Sequence, residues 1–158
     1  MTEISSASLL PEFGGRLRGG SHWFTVRIYY EDTDAEGIVY YANYLRFLER
    51  GRTEFLRAAN LTSSKILEQQ GCCYVVRRVE LDYRQYAKLD ELLVIKTWIG
   101  GVRHASMLMK QAVIRDGIIL VHADIQLACI DFKKGGKPVR LPADLKAFFM
   151  ANQPEILS

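Results

Sequence analysis

The segment 28–57 constrains the fold of this chain more than any other. The strand leading into it alternates apolar and polar residues from His22 to Glu31, the period of a half-buried β-strand. An acidic turn from Asp32 to Gly37 interrupts the alternation. The following residues have a helical period with one apolar stripe, made of Tyr41, Tyr44, Leu45, Leu48, Gly51 and Phe55. The sequence therefore predicts a strand, an acidic turn and a long amphipathic helix in direct succession.

A glycine lies inside the predicted helix. Gly51 belongs to the apolar stripe, although glycine in a helix interior costs about 1 kcal/mol relative to alanine. Its presence there indicates that another element packs very close to the helix. We therefore expect a sheet to wrap around the helix and to contact it at Gly51.

Shorter elements follow the long helix. Thr62 or Ser63 can cap a second helix, and Gly71 can end it. Strand-forming segments then begin near residues 75, 92, 102 and 119. Two glycine-containing pairs, Gly100-Gly101 and Asp116-Gly117, predict tight hairpins. A short helix over residues 142–150 is expected to close the chain.

The order of these elements indicates the fold class. A strand, a long helix and a short helix precede four antiparallel strands, which we expect to form a meander. No βαβ repeat is present. The sequence therefore predicts an α+β fold in which an antiparallel sheet of about five strands wraps around one long central helix.

Length and glycine distribution indicate one domain with two flanking segments. A chain of 158 residues can bury about two thirds of its unfolded surface in a single core. Residues 1–20 contain four glycines and no sustained hydrophobic period, which favours a flexible leader. We expect the domain to span residues 21–150 and a tail to span residues 151–158.

Charge, hydropathy and cysteine content exclude several classes of protein. A net charge of +3 is too small to indicate a nucleic-acid partner. No run approaches the roughly 18 apolar residues of a membrane span, and the N-terminus lacks the order of a signal peptide. Cys72, Cys73 and Cys129 form neither a disulfide framework nor a zinc-binding pattern, so we expect reduced, buried thiols in a cytoplasmic protein.

Three explanations compete for the acidic turn. Positions 1, 3, 5 and 6 of a calcium loop are matched by Asp32, Asp34, Glu36 and Gly37. Position 12, however, is Asn43 instead of a bidentate glutamate, and a strand precedes the loop. A phosphotransfer site would normally lie in a parallel α/β sheet, so we expect neither site. Asp32 is interpreted as a capping residue, whereas structural and catalytic roles both remain open for Asp34.

The residues around the turn resemble a known signature. Segment 30–44, Tyr-Glu-Asp-Thr-Asp-Ala-Glu-Gly-Ile-Val-Tyr-Tyr-Ala-Asn-Tyr, is similar to that of hotdog-fold acyl-CoA thioesterases of the 4-hydroxybenzoyl-CoA thioesterase class, especially their Tol-Pal-associated (YbgC-like) branch. The resemblance continues through residues 49–54 and weakly to 136–142. It implies a hotdog fold and hydrolysis of an acyl-CoA to a carboxylic acid and free CoA. It implies no cofactor, since coenzyme A is part of the substrate.

The resemblance also implies roles for individual residues. Asp34 would be the catalytic carboxylate, either as nucleophile or as general base on water. The backbone N–H of Tyr41, at the helix start, would donate to the developing oxyanion. Tyr30 would orient Asp34 or the acyl group, whereas Tyr29 lies on the other strand face. Substrate contacts would also come from Gly37, Ile38 and Val39.

Position 41 departs from the nearest branch of the family. Many members of that branch have histidine where this chain has Tyr41, whereas the 4-hydroxybenzoyl branch has tyrosine. A mechanism that needs an imidazole there would lack its group in this chain. The backbone N–H at position 41 is present with either tyrosine or histidine.

The phosphates of coenzyme A require cations near a surface groove. The candidates are Arg84, Lys88, Lys133, Lys134 and Lys137, and a solvated surface role explains each of them equally well. His122 and Asp124 share one face of a strand and are interpreted as structural. His104 follows a predicted hairpin and is expected to be exposed.

Two functions from different classes are compatible with the resemblance. The first is a cytoplasmic acyl-CoA thioesterase, assembled as a homodimer or homotetramer with its active site at the subunit interface. An acyl carrier protein is a further candidate partner. The alternative is a non-catalytic acyl-carrier or lipid-synthesis partner that uses the hotdog groove only for binding. Release of free thiol from acyl-CoAs separates the two.

Overall fold

A computed structural model describes residues 13–154 of the chain. Its strands are β1 (Arg16–Arg18), β2 (Ser21–Arg27), β3 (Cys73–Tyr83), β4 (Leu92–Val102), β5 (Ser106–Arg115), β6 (Ile118–Asp131) and β7 (Lys137–Pro138). Its helices are α1 (Asn43–Ala58), α2 (Ser63–Gln70) and α3 (Ala143–Ala151). All strand pairs are antiparallel. The structure confirms the predicted α+β fold, with five long strands and two short ones.

The strand order differs from the predicted meander at one strand. The sheet runs β1-β2-β4-β5-β6-β3, and β7 also pairs with β6. β4, β5 and β6 form a meander, but β3 pairs with β6 across the register Tyr83↔Val121 to Cys73↔Ile130. The long connection 84–91 separates β3 from β4, so the two consecutive strands do not pair. β3 is consequently an edge strand.

The close approach predicted at Gly51 is confirmed. A Cβ atom there would lie 2.6 Å from Cγ2 of Ile95 and 3.1 Å from Oγ1 of Thr97. The helix residues on either side of this contact are almost fully buried: Tyr44, Phe47, Leu48 and Phe55. α1 therefore packs against the middle of β4 at the one position where it has no side chain.

A buried polar network connects α1 to the sheet beside this glycine. Nε2 of Gln111 donates to the carbonyl of Leu48 and to Oγ1 of Thr97, each at 2.8 Å. Its Oε1 accepts a hydrogen bond from Arg52 at 2.9 Å. Gln111 and Thr97 have no solvent exposure, so these bonds satisfy groups that burial would otherwise penalise.

One of the two predicted hairpins is confirmed and the other is wrong. Asp116 and Gly117 both have positive φ, 49° and 78°, and join β5 to β6 in a tight turn. Gly100, however, lies inside β4, where the register shifts between Ile99 and Gly101. The real turn covers residues 103–105. A Cβ at Gly100 would lie 2.9 Å from Cγ of Lys110, so this glycine permits a bulge and not a turn.

The observed ends of the strands and helices correct some of the other predictions and confirm the rest. Arg16–Arg18 form β1 and pair with β2, although residues 1–20 were expected to be a leader; residues 1–12 of that leader lie outside the described residues. α1 begins at Asn43, two residues after the predicted start at Tyr41. α2 has the predicted cap, Thr62, and the predicted stop at Gly71, which has φ of 67°.

The cysteines are free thiols in different environments. Cys72 and Cys129 are buried as expected, whereas Cys73 is only half-buried. Burial, followed by a hydrogen bond to Cys72, raises the pKa of Cys129 to about 12. A buried thiol of this kind is unreactive at neutral pH. Among residues 13–154, no helix is long and apolar enough to cross a membrane.

We predict that Gly51→Ala lowers the free energy of unfolding by about 1–3 kcal/mol, because the added methyl group overpacks the contact with β4. This loss is expected even though alanine favours the helix by about 1 kcal/mol. Gly101→Ala is the control, since a Cβ there meets no atom within 4 Å. Denaturant unfolding that shows Gly51→Ala to be as stable as the parent protein would refute the prediction.

Candidate active site

Asp32 organises the turn that leads from β2 to α1. Its side chain is 7% exposed, and Oδ2 accepts a hydrogen bond from the backbone N–H of Tyr29 at 2.9 Å. Its carbonyl accepts from the N–H of Tyr40 at 2.9 Å and from Nδ2 of Asn43 at 2.8 Å. These bonds hold the helix start against the end of the strand, which supports the structural interpretation of Asp32.

Asp34 is held through only one carboxylate oxygen. Oδ1 accepts hydrogen bonds from the N–H groups of Glu36, at 3.0 Å, and Ile38, at 3.4 Å. The main chain closes the same turn, since the N–H of Asp34 donates to Ile38 at 2.9 Å and its carbonyl accepts from Gly37 at 3.1 Å. Within residues 13–154, Oδ2 has no hydrogen-bond partner. The half-buried carboxylate is therefore oriented and still has one oxygen available to a ligand.

Backbone donors remain open between this turn and α1. The N–H of Tyr40 donates to Asp32, and that of Asn43 donates to Tyr40 at 2.8 Å. In the described part of the chain, the N–H groups of Tyr41 and Ala42 have no acceptor. They precede a helix of 16 residues, whose N-terminus carries partial positive charge. This region can stabilise an oxyanion.

A cluster of tyrosines fixes the backbone at position 41. The hydroxyl of Tyr83 donates to the carbonyl of Tyr41 at 3.1 Å, and the two ring centroids lie 6.3 Å apart. Tyr83 also packs edge-on against Tyr44, at 5.7 Å. Burial raises the pKa of both Tyr83 and Tyr44, so both phenols stay neutral at physiological pH. Sequence reasoning missed Tyr83, because its only signal was alternation along β3.

Tyr30 does not occupy the position expected from strand alternation. β2 ends at Arg27, and Tyr30 begins a single 3₁₀ turn that ends at Asp32. Its side chain is 83% exposed, and that of Tyr29 is 61% exposed. The expectation that opposite strand faces separate these two tyrosines is therefore wrong, since neither belongs to the strand. No hydrogen bond joins the side chains of Tyr30 and Asp34 within the described residues.

The three predicted substrate-contact residues of the turn differ in exposure. Gly37 and Ile38 are half-buried, and Gly37 has φ of 78°. Ile38 forms an isolated bridge with Lys88. Val39 is 3% exposed, and its N–H donates to Ala87 at 2.9 Å. Val39 thus belongs to the core, whereas Gly37 and Ile38 line the surface beside Asp34.

The five candidate phosphate-binding cations do not meet within one chain. Arg84 is paired with Asp82 at 2.8 Å, and Lys88 lies beside Ile38. The other three are at the opposite end of β6: Lys133, Lys134 and Lys137. The eleven residues of β6 from Val121, opposite Tyr83, to Asp131 span about 33 Å.

His122 and His104 lie in surface or structural surroundings. Nδ1 of His122 lies 4.0 Å from Oδ1 of Asp124, which also pairs with Lys110 at 3.3 Å. His104 is exposed, as expected, and accepts a hydrogen bond from Nε of Arg140 at 3.3 Å. None of these residues lies in the turn that carries Asp34.

A groove of about 400 Å³ runs along α1 from the end near the acidic turn. Its helix side begins at Leu45, one residue after the buried Tyr44, and ends at Leu56. The opposite wall is formed by apolar residues of β3 and β6: Val76, Val79, Ile125 and Leu127. Because the groove starts within one turn of the open N–H groups, it can take an apolar group attached to a carbonyl at the helix start.

The chain is similar to several known proteins. A model of the thioesterase-like superfamily matches residues 29–149. The acyl-CoA thioesterase YbgC of Haemophilus influenzae is 46% identical over 126 residues, covering 80% of this chain and 92% of that protein. The acyl-CoA thioester hydrolase YbgC of Escherichia coli is 38% identical, covering 78% of this chain and 92% of that protein.

Solved structures show the same fold. A probable thioesterase from Bartonella henselae has a TM-score of 0.72 and 39% identity, covering 77% of this chain and 99% of that one. A mutant 4-hydroxybenzoyl CoA thioesterase complexed with 4-hydroxybenzoyl CoA has a TM-score of 0.75 at 22% identity, covering 81% and 97%. The second likeness concerns the fold alone.

We predict that Asp32→Ala lowers the free energy of unfolding by about 0.5–2 kcal/mol, since it removes the acceptor of a cap-like hydrogen bond. Glu31→Ala is the matched control, because Glu31 is exposed in the same turn and should change stability by less than about 0.5 kcal/mol. Equal midpoints for both variants in urea unfolding would contradict the structural role of Asp32.

Proposed function

This chain belongs to the thioesterase-like superfamily, and we propose that it is an acyl-CoA thioesterase whose catalytic carboxylate is Asp34. The activity is supported by the family model over residues 29–149 and by relatives of 46% and 38% identity that are named for it. The observation that carries the assignment of Asp34 is its geometry. One carboxylate oxygen is anchored by two N–H groups, while the other has no hydrogen-bond partner among the described residues, in the turn that precedes α1.

Two mechanisms use this carboxylate. As a nucleophile, Oδ2 of Asp34 attacks the thioester carbonyl, the C–S bond breaks, and water hydrolyses the resulting mixed anhydride. As a general base, the carboxylate removes a proton from a water molecule that attacks the carbonyl directly. Both routes release a carboxylic acid and the thiol of CoA. Both also pass through an oxyanion on the former carbonyl oxygen.

The open N–H groups of Tyr41 and Ala42 are suited to that oxyanion. In a comparable acyl-transfer site, the loss of one such donor costs about 2.7–4 kcal/mol. The hydrogen bond from Tyr83 to the carbonyl of Tyr41 supports this role by fixing the peptide that carries the N–H of Ala42. Since the donors are backbone groups, tyrosine in place of histidine at position 41 leaves them intact.

We further propose that the protein works as a homodimer formed through the open edge of β3. This strand of 11 residues pairs only with β6 among the described elements. Several apolar side chains on it are exposed in the isolated chain: Val76 at 47%, Val79 at 39% and Tyr83 at 44%. An open edge with exposed apolar residues is a ready template for strand pairing. A second copy there would also cover the groove beside α1.

We propose a cytoplasmic location because of the state of the cysteine thiols. All three cysteines are free, which is typical of a reducing compartment. An acyl carrier protein remains a candidate donor of the acyl group. The alternative function, acyl binding without hydrolysis, would use the same groove but would leave the open oxygen of Asp34 without a role.

Asp34→Asn is expected to lower kcat by at least about a hundredfold, because an amide can neither attack the thioester nor accept a proton from water. Asp32→Asn should have a milder effect on turnover. Release of free thiol from a panel of acyl-CoAs measures both. Acyl binding without thiol release by the parent protein would favour the non-catalytic alternative, and equal losses in the two variants would argue against Asp34.

Val79→Glu should dissociate the proposed dimer, because it would bury a carboxylate in an apolar contact. Sedimentation analysis should give the mass of two chains for the parent protein and of one for the variant. Glu80→Gln is the control. Glu80 follows Val79 in the strand, so its side chain points to the opposite face of β3. A parent protein with the mass of one chain would exclude the proposed assembly.

A further inference from the structure

A second cavity lies on the neighbouring face of α1 and differs chemically from the groove. It has a volume of about 550 Å³. Two aromatic and four charged side chains dominate its lining: Phe13, Phe24, Arg46, Arg50, Glu49 and Glu54. Phe24 belongs to β2 and Phe13 precedes β1, so the cavity is bordered by the helix, one strand and the segment before the sheet.

The charges around this cavity leave two arginines in excess. Glu54 is paired with Arg57 at 2.7 Å. Burial lowers the pKa of the half-buried Arg52, and the negative charge of Glu49 partly opposes this effect. Within residues 13–154, neither Arg46 nor Arg50 has a carboxylate within 4.0 Å. The cavity therefore presents two guanidinium groups without a carboxylate partner, of which that of Arg50 also lies 6.0 Å from the ring centroid of Phe47.

We propose that this cavity binds the nucleotide portion of acyl-CoA, an inference that rests on the proposed function. Guanidinium groups bind phosphate through paired, charge-assisted hydrogen bonds. Aromatic rings offer stacking surfaces for a purine base, and Phe13 is 75% exposed while Phe24 is half-buried. Arg46 and Arg50 thus contact the phosphates, and the two phenylalanines contact the adenine.

The position of the cavity suits a ligand whose reactive end lies at the helix start. Arg46 is three residues after Asn43, and Arg50 is seven, so they lie about 5 and 10 Å along the helix axis. The cations considered first are less suitable. Arg84 is already paired with Asp82, and within the same chain the lysines of residues 133–137 lie at the far end of β6.

The test compares one acyl group carried by CoA with the same group carried by pantetheine, which lacks the nucleotide. In the double variant Arg46→Gln/Arg50→Gln, KM for the acyl-CoA should rise at least about tenfold while kcat stays within about twofold, since two charge-assisted contacts are lost. KM for the acyl-pantetheine should not change. Arg18→Gln, at an exposed arginine of β1 outside the cavity, should leave both KM values unaltered.

Direct binding gives a second measurement that does not depend on turnover. Adenosine 3′,5′-bisphosphate should bind the parent protein in calorimetric titration, and its affinity should fall at least about tenfold in the double variant. If the parent protein hydrolyses neither substrate, the proposed function fails while this titration still tests the cavity. An unchanged KM for acyl-CoA, or an equal rise for acyl-pantetheine, would overturn the assignment. The assignment would also be overturned if the double variant were defective only toward acyl groups carried by an acidic carrier protein.

Discussion

The contact between Gly51 and β4 determines where the helix can lie on the sheet. A methyl group at this position would already be 2.6 Å from Ile95, so no larger residue permits the same separation. Gln111 reinforces the contact with hydrogen bonds to Leu48 and Thr97. Because α1 is rigid over its 16 residues, its fixed middle also fixes its N-terminus. The position of the proposed oxyanion site is thus a consequence of packing about two turns away.

The acidic turn separates two carboxylates that are only two residues apart. Asp32 is buried, and both its side chain and its carbonyl are used in joining β2 to α1. Asp34 lies at the rim of the same turn and is bonded through one oxygen. The hydrogen bonds of Asp32 therefore hold the turn in the shape that places Asp34 at its rim. This division explains how a turn can be firmly structured and still present a carboxylate oxygen that is open to a ligand.

Local sequence patterns predicted the helices, strands and turns better than they predicted which of these elements lie next to one another. The turn at Asp116-Gly117 and the caps of α2 depend on a few adjacent residues, and all were found as expected. Gly100-Gly101 has the composition of a hairpin but forms a bulge, because its conformation is set by Lys110 on the next strand. The pairing of β3 with β6 also depends on contacts between distant residues. Short-range signals carry no information about such contacts.

The sequence by itself determined the α+β class and the succession of strand, acidic turn and long helix, and it favoured Asp34 over Asp32 as the candidate catalytic carboxylate. These follow from hydrophobic period, capping chemistry and the resemblance of residues 30–44 to a family signature. Only the tertiary structure decided that Tyr83 supports the backbone at Tyr41, that the five candidate cations are dispersed, and that Arg46 and Arg50 share a cavity with two phenylalanines. The physical reason is that folding brings these groups together from separate elements, and their distances depend on strand order and helix placement.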